Sequence, residues 1–260
     1  MTHEINAILA IALRDFTKLL RDRPRLVISF IFPILFIGAL GGSLQAGFGE
    51  AVGYNMITFI FTGVLAQNLF QSTASGVISL IEDRENDFSQ EIFVSPISRY
   101  SIIFGKILGE TLVSLVLGVG IIAFGFIIGI PITASLLITM IPAGIIACLF
   151  GGAFGVIVLA NLGSQRTANQ VFPLIMFPQF ILAGVFSPIK ELPMFLDVLS
   201  RISPMRYAVD LMRGVYYAGA PEYDLVVLSP VLYNLAVIAV MFIVFLFIGT
   251  TIFVRNERNR

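Results

Sequence analysis

The sequence predicts an all-α, polytopic membrane protein with six transmembrane helices. Of its 260 residues, 57% are hydrophobic and 12% are charged, and the mean hydropathy is +0.95. In a soluble domain about 25% of the residues are charged. Charged side chains are almost absent from three long stretches, 26–81 with Glu50 as the exception, 111–165 and 225–254. A bilayer core about 30 Å thick is crossed by about 20 apolar helical residues, so these stretches are long enough for several crossings.

The segment 1–25 precedes the first apolar stretch and is predicted to form an amphipathic helix on the inner membrane surface. Its apolar residues recur at helical spacing, and its charged residues occupy the positions between them. Pro24 would then mark the bend at which the chain enters the bilayer. The alternative is a charged flank that only fixes the orientation of the protein.

The six predicted membrane helices cover residues 26–45, 53–81, 101–129, 134–160, 168–187 and 226–254. Glycines from Gly41 to Gly53 are expected to end the first helix, and the sequence Gly129-Ile130-Pro131 is expected to end the third. Neither a repeat nor a soluble domain is visible in the sequence. The chain 1–260 is therefore interpreted as a single transmembrane domain.

Lysine and arginine are unevenly distributed over this arrangement. If both termini lie in the cytoplasm, the cytoplasmic segments are rich in these residues, whereas the two short outer loops contain none. This is the distribution described by the positive-inside rule. The sequence therefore predicts a multi-pass protein with both termini in the cytoplasm.

The second predicted helix carries a polar stripe. Gln67, Gln71 and Ser75 follow one another at intervals of four residues, and Asn68 lies beside them. Polar groups inside a bilayer need partners within the helix bundle or in a wet cavity. The stripe is therefore either a packing surface between helices or the lining of a substrate path, and both interpretations stay open.

An acidic cytoplasmic loop, 82–100, joins the second and third predicted helices. Four acids, an arginine and an aromatic residue lie close together in it: Glu82, Asp83, Arg84, Glu85, Asp87 and Phe88. Complementary charge orients a protein partner, and buried aromatic side chains supply affinity. The loop is therefore predicted to dock into a groove of a partner protein, and a merely soluble turn is the alternative.

The chain contains no recognisable ATP-binding loop. Gly105-Lys106 has the Gly-Lys pair of the phosphate-binding motif, but Tyr100 replaces its first glycine and Ile107 replaces its serine or threonine. We expect Lys106 instead to reach the membrane surface or to pair with Glu110, one helical turn later.

The long connection 188–224 is predicted to form two short amphipathic helices at the outer membrane interface, separated by Ser203-Pro204. Its candidate structural residues are Pro188, Pro193, Pro204, Tyr207 and Arg213. We expect Arg213, like Arg201 and Arg206, to reach lipid headgroups or water.

Reactive side chains are too few for a metal site or for intramembrane catalysis. The chain has one cysteine, Cys148, and one histidine, His3, whereas both kinds of site need several such groups together. The 16 basic and 16 acidic residues balance, which gives no reason to expect binding to nucleic acid. An intramembrane lipid-modifying enzyme and a channel or accessory protein without a link to ATP remain the alternatives to a transporter.

In their order and spacing these segments resemble the membrane subunit of an ABC-2 type transporter. The resemblance rests on the amphipathic entry helix, on Glu82-Asp83-Arg84-Glu85 followed by Val94-Ser95-Pro96 and Gly105-Lys106, and on the segment from Pro188 to Arg213. It covers nearly the whole chain. The chain departs from the family at Asp87-Phe88, where members often have Gly-Thr.

The resemblance implies the permease of a bacterial exporter, which moves a drug-like or lipid-linked amphiphile across the cytoplasmic membrane by alternating access. It also implies that two permease copies, expected as a homodimer, pair with two copies of a separate ATP-binding subunit. The loop 82–100 would contact that subunit, and the segment 188–224 would form extracellular re-entrant helices. This chain would bind no cofactor itself, because ATP and Mg²⁺ would bind to the partner subunit.

Overall fold

In the computed structural model the described residues are 2–81, 98–159 and 162–258, and their regular structure is entirely helical. The helices, numbered along these residues, are α1 (Thr2–Arg21), α2 (Arg23–Leu35), α3 (Gly41–Val52), α4 (Met56–Gly76), α5 (Arg99–Ile127), α6 (Ala134–Leu159), α7 (Gln165–Leu182), α8 (Met194–Ile202), α9 (Pro204–Tyr216), α10 (Tyr223–Val226) and α11 (Val231–Arg258). A π-helical turn, Phe36–Leu40, joins α2 to α3. The predicted all-α class is confirmed.

Four helical segments of the described chain are long and apolar enough to cross a bilayer. They are Leu26–Val52, Tyr100–Ile127, Ala134–Leu159 and Tyr223–Phe253. The other two predicted membrane helices correspond to α4 and α7, which are not among these four. Polar residues such as Gln67 and Gln71 make α4 less apolar, and α7 is only 18 residues long with Pro173 and Pro178 inside it.

The first membrane helix is longer than the sequence pattern predicts. Gly41 and Gly42 do not end it, because α3 continues to Val52 and stops at Gly53, whose φ of 76° is left-handed. A glycine inside a helix costs only about 1 kcal/mol relative to alanine. Gly41 also lies against Ile57 on α4, at a distance that would accommodate a β-carbon in ordinary van der Waals contact, and this packing favours a continuous helix.

The structure has a helix break near Pro24, where the sequence predicts a bend. Helix α1 ends at Arg21 and α2 begins at Arg23, so Pro24 lies in the first turn of α2. At that position a backbone N–H would have no partner within the helix, and proline is therefore tolerated.

Helix α4 is the central helix of the bundle. Most of its residues are buried, and it contacts α3, α5, α6 and α9. Gly151 and Gly155 of α6 lie directly against its backbone, because a β-carbon at either position would clash with the carbonyl oxygen of Phe70 or of Ala74. Small residues spaced by four permit such close helix packing.

Helix α1 packs along the first half of α5. Gly105 and Gly109 of α5 make this possible, because a β-carbon on them would lie 3.1 Å from the Cα of Ile8 and 3.0 Å from the Cα of Ala12. Ala12 is buried in the contact. Ile5, Leu9 and Leu13 are large apolar side chains that α1 leaves exposed.

Candidate functional site

A polar cavity of about 330 Å³ lies beside α4, within the size range of small-molecule sites. Helix α4 supplies its polar wall, Gln67, Asn68, Gln71, Ser72 and Ser75, and α2, α5 and α7 supply Ser29, Phe32, Val113, Leu117 and Phe180. The structure thus brings the four residues predicted for a substrate path to one cavity. None of the lining residues that the structure describes is charged.

The amide groups on the polar wall are only partly paired. The side-chain Nε2 of Gln67 donates to Oε1 of Gln71 at 2.6 Å. The Oε1 of Gln67 and the Oδ1 of Asn68 are buried without a hydrogen-bond partner, and Gln67 as a whole is 1% exposed. A buried polar atom without a partner costs about 1–3 kcal/mol. Both oxygens are covered by neighbouring atoms, and the half-buried Gln71, Ser72 and Ser75 are the polar residues of α4 that face the cavity more openly.

Another polar residue of α4 serves helix packing instead. The hydroxyl oxygens of Thr73 and Ser114 lie 2.8 Å apart and are both buried, which links α4 to α5. The polar residues of α4 are therefore divided: Thr73 contacts a neighbouring helix, and the stripe that contains Gln67 lines the cavity.

Lys106 is part of a buried ion pair between α5 and α1. Its Nζ lies 2.8 Å from Oδ2 of Asp15, and the residue is 1% exposed. The expectation that Lys106 reaches the membrane surface is therefore wrong, because α1 covers it. The carboxylate of Glu110 lies against Gly76, with Oε1 3.5 Å from the hydroxyl of Ser79.

The residues predicted to contact an ATPase subunit, Glu82, Asp83, Arg84, Glu85, Asp87 and Phe88, lie outside the described residues. The described chain resumes at Ser98, whose N–H donates to both carboxylate oxygens of Glu4 on α1, at 3.0 and 3.3 Å. Hydrogen bonds from the Ser101 side chain and the Ser98 backbone hold the pKa of Glu4 below its ordinary value. Helix α1 is thus tied to the chain that follows this loop.

The two short helices predicted between the last two membrane helices are present as α8 and α9. Pro193 immediately precedes α8, and Pro204 is the first residue of α9. The hydroxyl of Tyr207 donates to the carbonyl oxygen of Arg201 at 2.7 Å and so closes the corner between them. Pro188 is exposed in the turn that follows α7.

Arg213 is buried, contrary to the expectation that it reaches headgroups or water. Its guanidinium group donates to the carbonyl oxygens of Gly184, Val185 and Phe59, at 2.8, 3.3 and 3.4 Å. The group also lies 3.6 Å from the centroid of the Phe59 ring. Backbone carbonyls and an aromatic face therefore replace water around this charge, and they connect α9 to α4 and to the turn after α7.

Asp210 is a second buried residue of α9 that the sequence analysis missed. Its carboxylate accepts the N–H groups of Leu228 and Ser229, at 2.7 and 2.8 Å, and the side-chain amide of Asn234 at 2.8 Å. These bonds attach α9 to the start of α11. The sequence contains only a weak signal that Asp210 is buried. An acidic residue one turn before Arg213 in an amphipathic helix has the same pattern as an acid on the exposed face.

Comparison with known proteins identifies relatives over most of the chain. The family described as ABC-2 type transporter matches residues 6–217. The probable multidrug ABC transporter permease YbhR of Escherichia coli K12 is 28% identical over 151 residues, which are 55% of this chain and 39% of the relative. The putative transport permease ycf38 of Cyanophora paradoxa is 24% identical over 219 residues, 82% of this chain and 74% of the relative. Nodulation protein J of Rhizobium meliloti strain 1021 is 22% identical over 185 residues, 70% of each chain.

The matched region differs in extent between these relatives. The chain spans about two-fifths of the length of the E. coli permease, whereas it covers 74% of the Cyanophora protein.

Proposed function

Because the chain belongs to the ABC-2 type transporter family, we propose that it is the permease subunit of an ATP-driven exporter. Its family and its relatives mark it as a membrane transport subunit rather than a catalytic enzyme. The exporter would contain two copies of this chain and two copies of a separate ATP-binding subunit, which holds ATP and Mg²⁺. It would move an amphiphilic, drug-like or lipid-linked substrate out across the bacterial cytoplasmic membrane.

The polar cavity beside α4 is the observation that carries the proposal. It presents polar side chains of α4 beside a largely apolar helix core. Gln71, Ser72 and Ser75 are half-buried and line this cavity, so their polar groups are not fully used in helix packing. A substrate path gives these groups a use that helix packing does not.

The contact between α1 and α5 supports a route for the driving force. Glu4 binds Ser98, immediately after the loop that is proposed to contact the ATPase, and Asp15 binds Lys106 further along α5. A push on that loop would therefore move α5 and α1 together. Because α1 leads directly into α2, the movement would change the cavity, whose walls include both α2 and α5.

In the proposed topology the chain crosses the membrane six times, with α4 and α7 as the second and fifth crossings and both termini in the cytoplasm. Helices α8 and α9 re-enter the membrane from the outer side. The exposed apolar face of α8, which includes Phe195 and Leu199, would then lie in lipid. A cysteine at Leu199 should therefore react slowly with a membrane-impermeant maleimide added outside, and reaction only from the cytoplasmic side would contradict this topology.

The exporter proposal is tested by isolating the chain from native membranes in a mild detergent. An ATP-binding subunit should co-purify with it, and inverted vesicles that contain both should accumulate substrate only with ATP. The chain purified alone should hydrolyse no ATP, since its Gly105-Lys106 pair lies inside helix α5 and not in a phosphate-binding loop.

A charge-reversed variant sharpens this test. Replacement of Glu82, Asp83 and Glu85 by lysine should weaken assembly with the ATPase or uncouple hydrolysis from transport, while membrane insertion stays intact. Normal co-purification and normal transport by the triple variant would refute the assignment of this loop. ATP hydrolysis by the pure chain would refute the dependence on a partner subunit.

A further inference from the structure

We infer that the π-helical turn Phe36–Leu40 is a hinge about which α2 swings relative to α3 and α4. The inference deepens the proposed function, on which the role of the hinge in transport rests: the swing would move Ser29 and Phe32, which α2 contributes to the cavity. Three features support it: the backbone hydrogen bonds of the turn, the unequal attachment of α2 and α3, and the burial of the turn itself.

The first feature is a change of hydrogen bonding in the middle of a membrane span. The turn lies near the centre of the span Leu26–Val52. The N–H of Gly41 donates to two carbonyl oxygens there, those of Phe36 and Gly38. A shared N–H can move toward either oxygen without losing its partner. Because unpaired backbone groups are very unfavourable in lipid, a turn with a shared donor is a favourable place for a membrane helix to bend.

The helix is also weakened one turn before this point. Pro33 lies inside α2 and has no N–H to donate to the residue four positions earlier. Sharp bends in helices occur at prolines and at π-type turns, and here the two lie side by side. We therefore expect the backbone to change direction between Pro33 and Gly41 more readily than elsewhere in the span.

The second feature is the unequal attachment of α2 and α3 to α4. Helix α3 is held there: the N–H of Met56 donates to Oε1 of Gln45 at 2.6 Å, and Gly41 lies against Ile57. Helix α2 shares few contacts with α4, and Val27 near its start is 64% exposed. A bend between the two helices would therefore move α2 and leave α3 in place.

The contact between α2 and α5 is compatible with such a movement. It includes Phe30 on α2, whose ring lies directly on Gly120 of α5, because a β-carbon at Gly120 would clash with a ring atom. A glycine has no side chain to interlock with the ring. The ring can therefore slide over α5 as α2 swings, whereas a larger residue at this position would block it.

The third feature is the burial of the turn. Ile37 is 0% exposed, and the centroid of the Phe36 ring lies 4.7 Å from that of the Phe186 ring. The turn is thus held in the core, where it can act as the pivot. With 1.5 Å of rise per residue, Val27 lies about 15 Å from Ile37, and a swing of about 15° would move it by about 4 Å.

The hinge is tested by measuring distances between pairs of spin labels. Cysteines replace exposed residues: the α2 pair is Val27→Cys on α2 with Phe247→Cys on α11, and the α3 pair is Phe48→Cys on α3 with Leu232→Cys on α11. Cys148 is buried and stays unlabelled in the folded chain. The labelled full chain is diluted with unlabelled chain in phosphatidylcholine nanodiscs, so that only distances within one chain are measured.

A stiffened hinge is compared with a matched control. Gly38→Ala with Gly41→Ala restricts the backbone of the turn, and both methyl groups fit, since the nearest neighbours of the two β-carbons would lie at 3.8 and 3.5 Å. The control, Gly42→Ala with Gly47→Ala, makes the same change in α3, where nothing lies within 4 Å of either β-carbon. In the isolated chain the stiffened hinge should narrow the distance distribution of the α2 pair by about a third, and the control should leave it unchanged.

ATP supplies the second readout, in the complex with the ATP-binding subunit. The α2 pair should shift by about 4 Å between the nucleotide-free and the ATP-bound complex, whereas the α3 pair should shift by less than about 1 Å. The stiffened hinge should reduce the shift of the α2 pair about twofold and lower the rate of transport. The control should change neither the shift nor the rate.

The outcomes separate this inference from the exporter proposal. Equal shifts of the two pairs, or no shift of either pair in a complex that transports, would overturn the hinge and leave the exporter in place. An α2 pair with the same distance distribution in wild type, the stiffened hinge and the control would also overturn the hinge. A distribution that the stiffened hinge narrows in the isolated chain, without an ATP-binding partner, would support the hinge and overturn the exporter.

Discussion

Replacement of Arg213 by leucine should destabilise the protein more than the loss of any exposed charge. Arg213 is 1% exposed and holds three carbonyl oxygens that belong to two separate segments, Phe59 on α4 and Gly184-Val185 after α7. Leucine cannot donate to any of them. The variant therefore leaves these oxygens buried without the donor that they share.

The magnitude follows from the contacts. A hydrogen bond to a charged donor contributes about 1.5–3 kcal/mol, and one of the three distances, 2.8 Å to Gly184, is short. The stacking of the guanidinium group on Phe59 contributes up to about 2 kcal/mol when the charge is desolvated. The variant also removes a charge whose burial is itself unfavourable, and this gain opposes the losses. We therefore expect the free energy of unfolding to fall by about 3 kcal/mol, the lower limit for breaking a buried charge pair. For a domain of this size, that loss lowers the melting temperature by about 6–12 °C.

The single cysteine of the chain supplies the assay. Cys148 is 0% exposed, so a fluorogenic maleimide reacts with it only when the bundle opens, and the reaction during heating follows unfolding. Arg213→Lys keeps the charge but has one compact donor group in place of the planar guanidinium group. It should lose about half as much stability as Arg213→Leu. Arg201→Leu is the exposed control, because surface ion pairs contribute only about 0–1 kcal/mol. An Arg213→Leu variant that melts within 2 °C of the Arg201→Leu variant would refute this account of the buried arginine.

Three further changes test the helix contacts. Lys106→Met should lower the melting temperature because it removes the buried partner of Asp15, although Arg14 still pairs with that carboxylate. A second change of Asp15→Leu should recover part of this loss, and no recovery in the same thiol assay would contradict the ion pair between α1 and α5. Gly151→Ala should lower the melting temperature because its methyl group meets the backbone of α4. Gly47→Ala, where nothing lies within 4 Å, should instead raise the free energy of unfolding by about 1 kcal/mol. Equal effects at the two glycines would argue against the packing assignment. Glu4→Gln should loosen the first turn of α1. The pKa of Glu4 is lowered in the folded protein. The contribution of Glu4 to stability is therefore present above the ordinary carboxyl pKa and is lost as the pH falls through the lowered value. Hydrogen exchange of α1, corrected for intrinsic rates, should therefore differ between wild type and variant at pH 7 and converge in acid.

Local patterns in the sequence predicted the elements that depend on local chemistry. The amphipathic spacing of residues 4–25 predicted α1, and the prolines at 193 and 204 predicted the starts of α8 and α9. Each of these signals lies within one or two helical turns, where capping and periodicity act. The polar stripe around Gln67 was predicted as a feature in the same way, although its cavity requires helices from three other parts of the chain.

Contacts between distant segments could not be predicted in this way. Lys106 and Arg213 look like ordinary helix-end cations in the sequence, and a charge that reaches water has the same local pattern as one covered by another helix. Their partners, Asp15 and the carbonyl groups near Gly184, become visible only when the helices are packed. The same holds for Gly41, which the sequence suggested as a helix end and which lies within a continuous helix that packs against α4.

The glycine contact between α4 and α6 makes the two walls of the cavity mechanically unequal. Gly151 and Gly155 bring α6 into direct contact with the backbone of α4, whereas α2 and α7, on the other side, share few contacts with α4. A change in the width of the cavity would therefore be a displacement of α2 and α7 relative to α4. Phe32 and Phe180 would approach or withdraw, whereas Val113 and Leu117 would stay in place because the Thr73–Ser114 contact links α5 to α4. The polar side chains of α4 would keep their arrangement through such a movement, and only the extent to which water is excluded from the cavity would change.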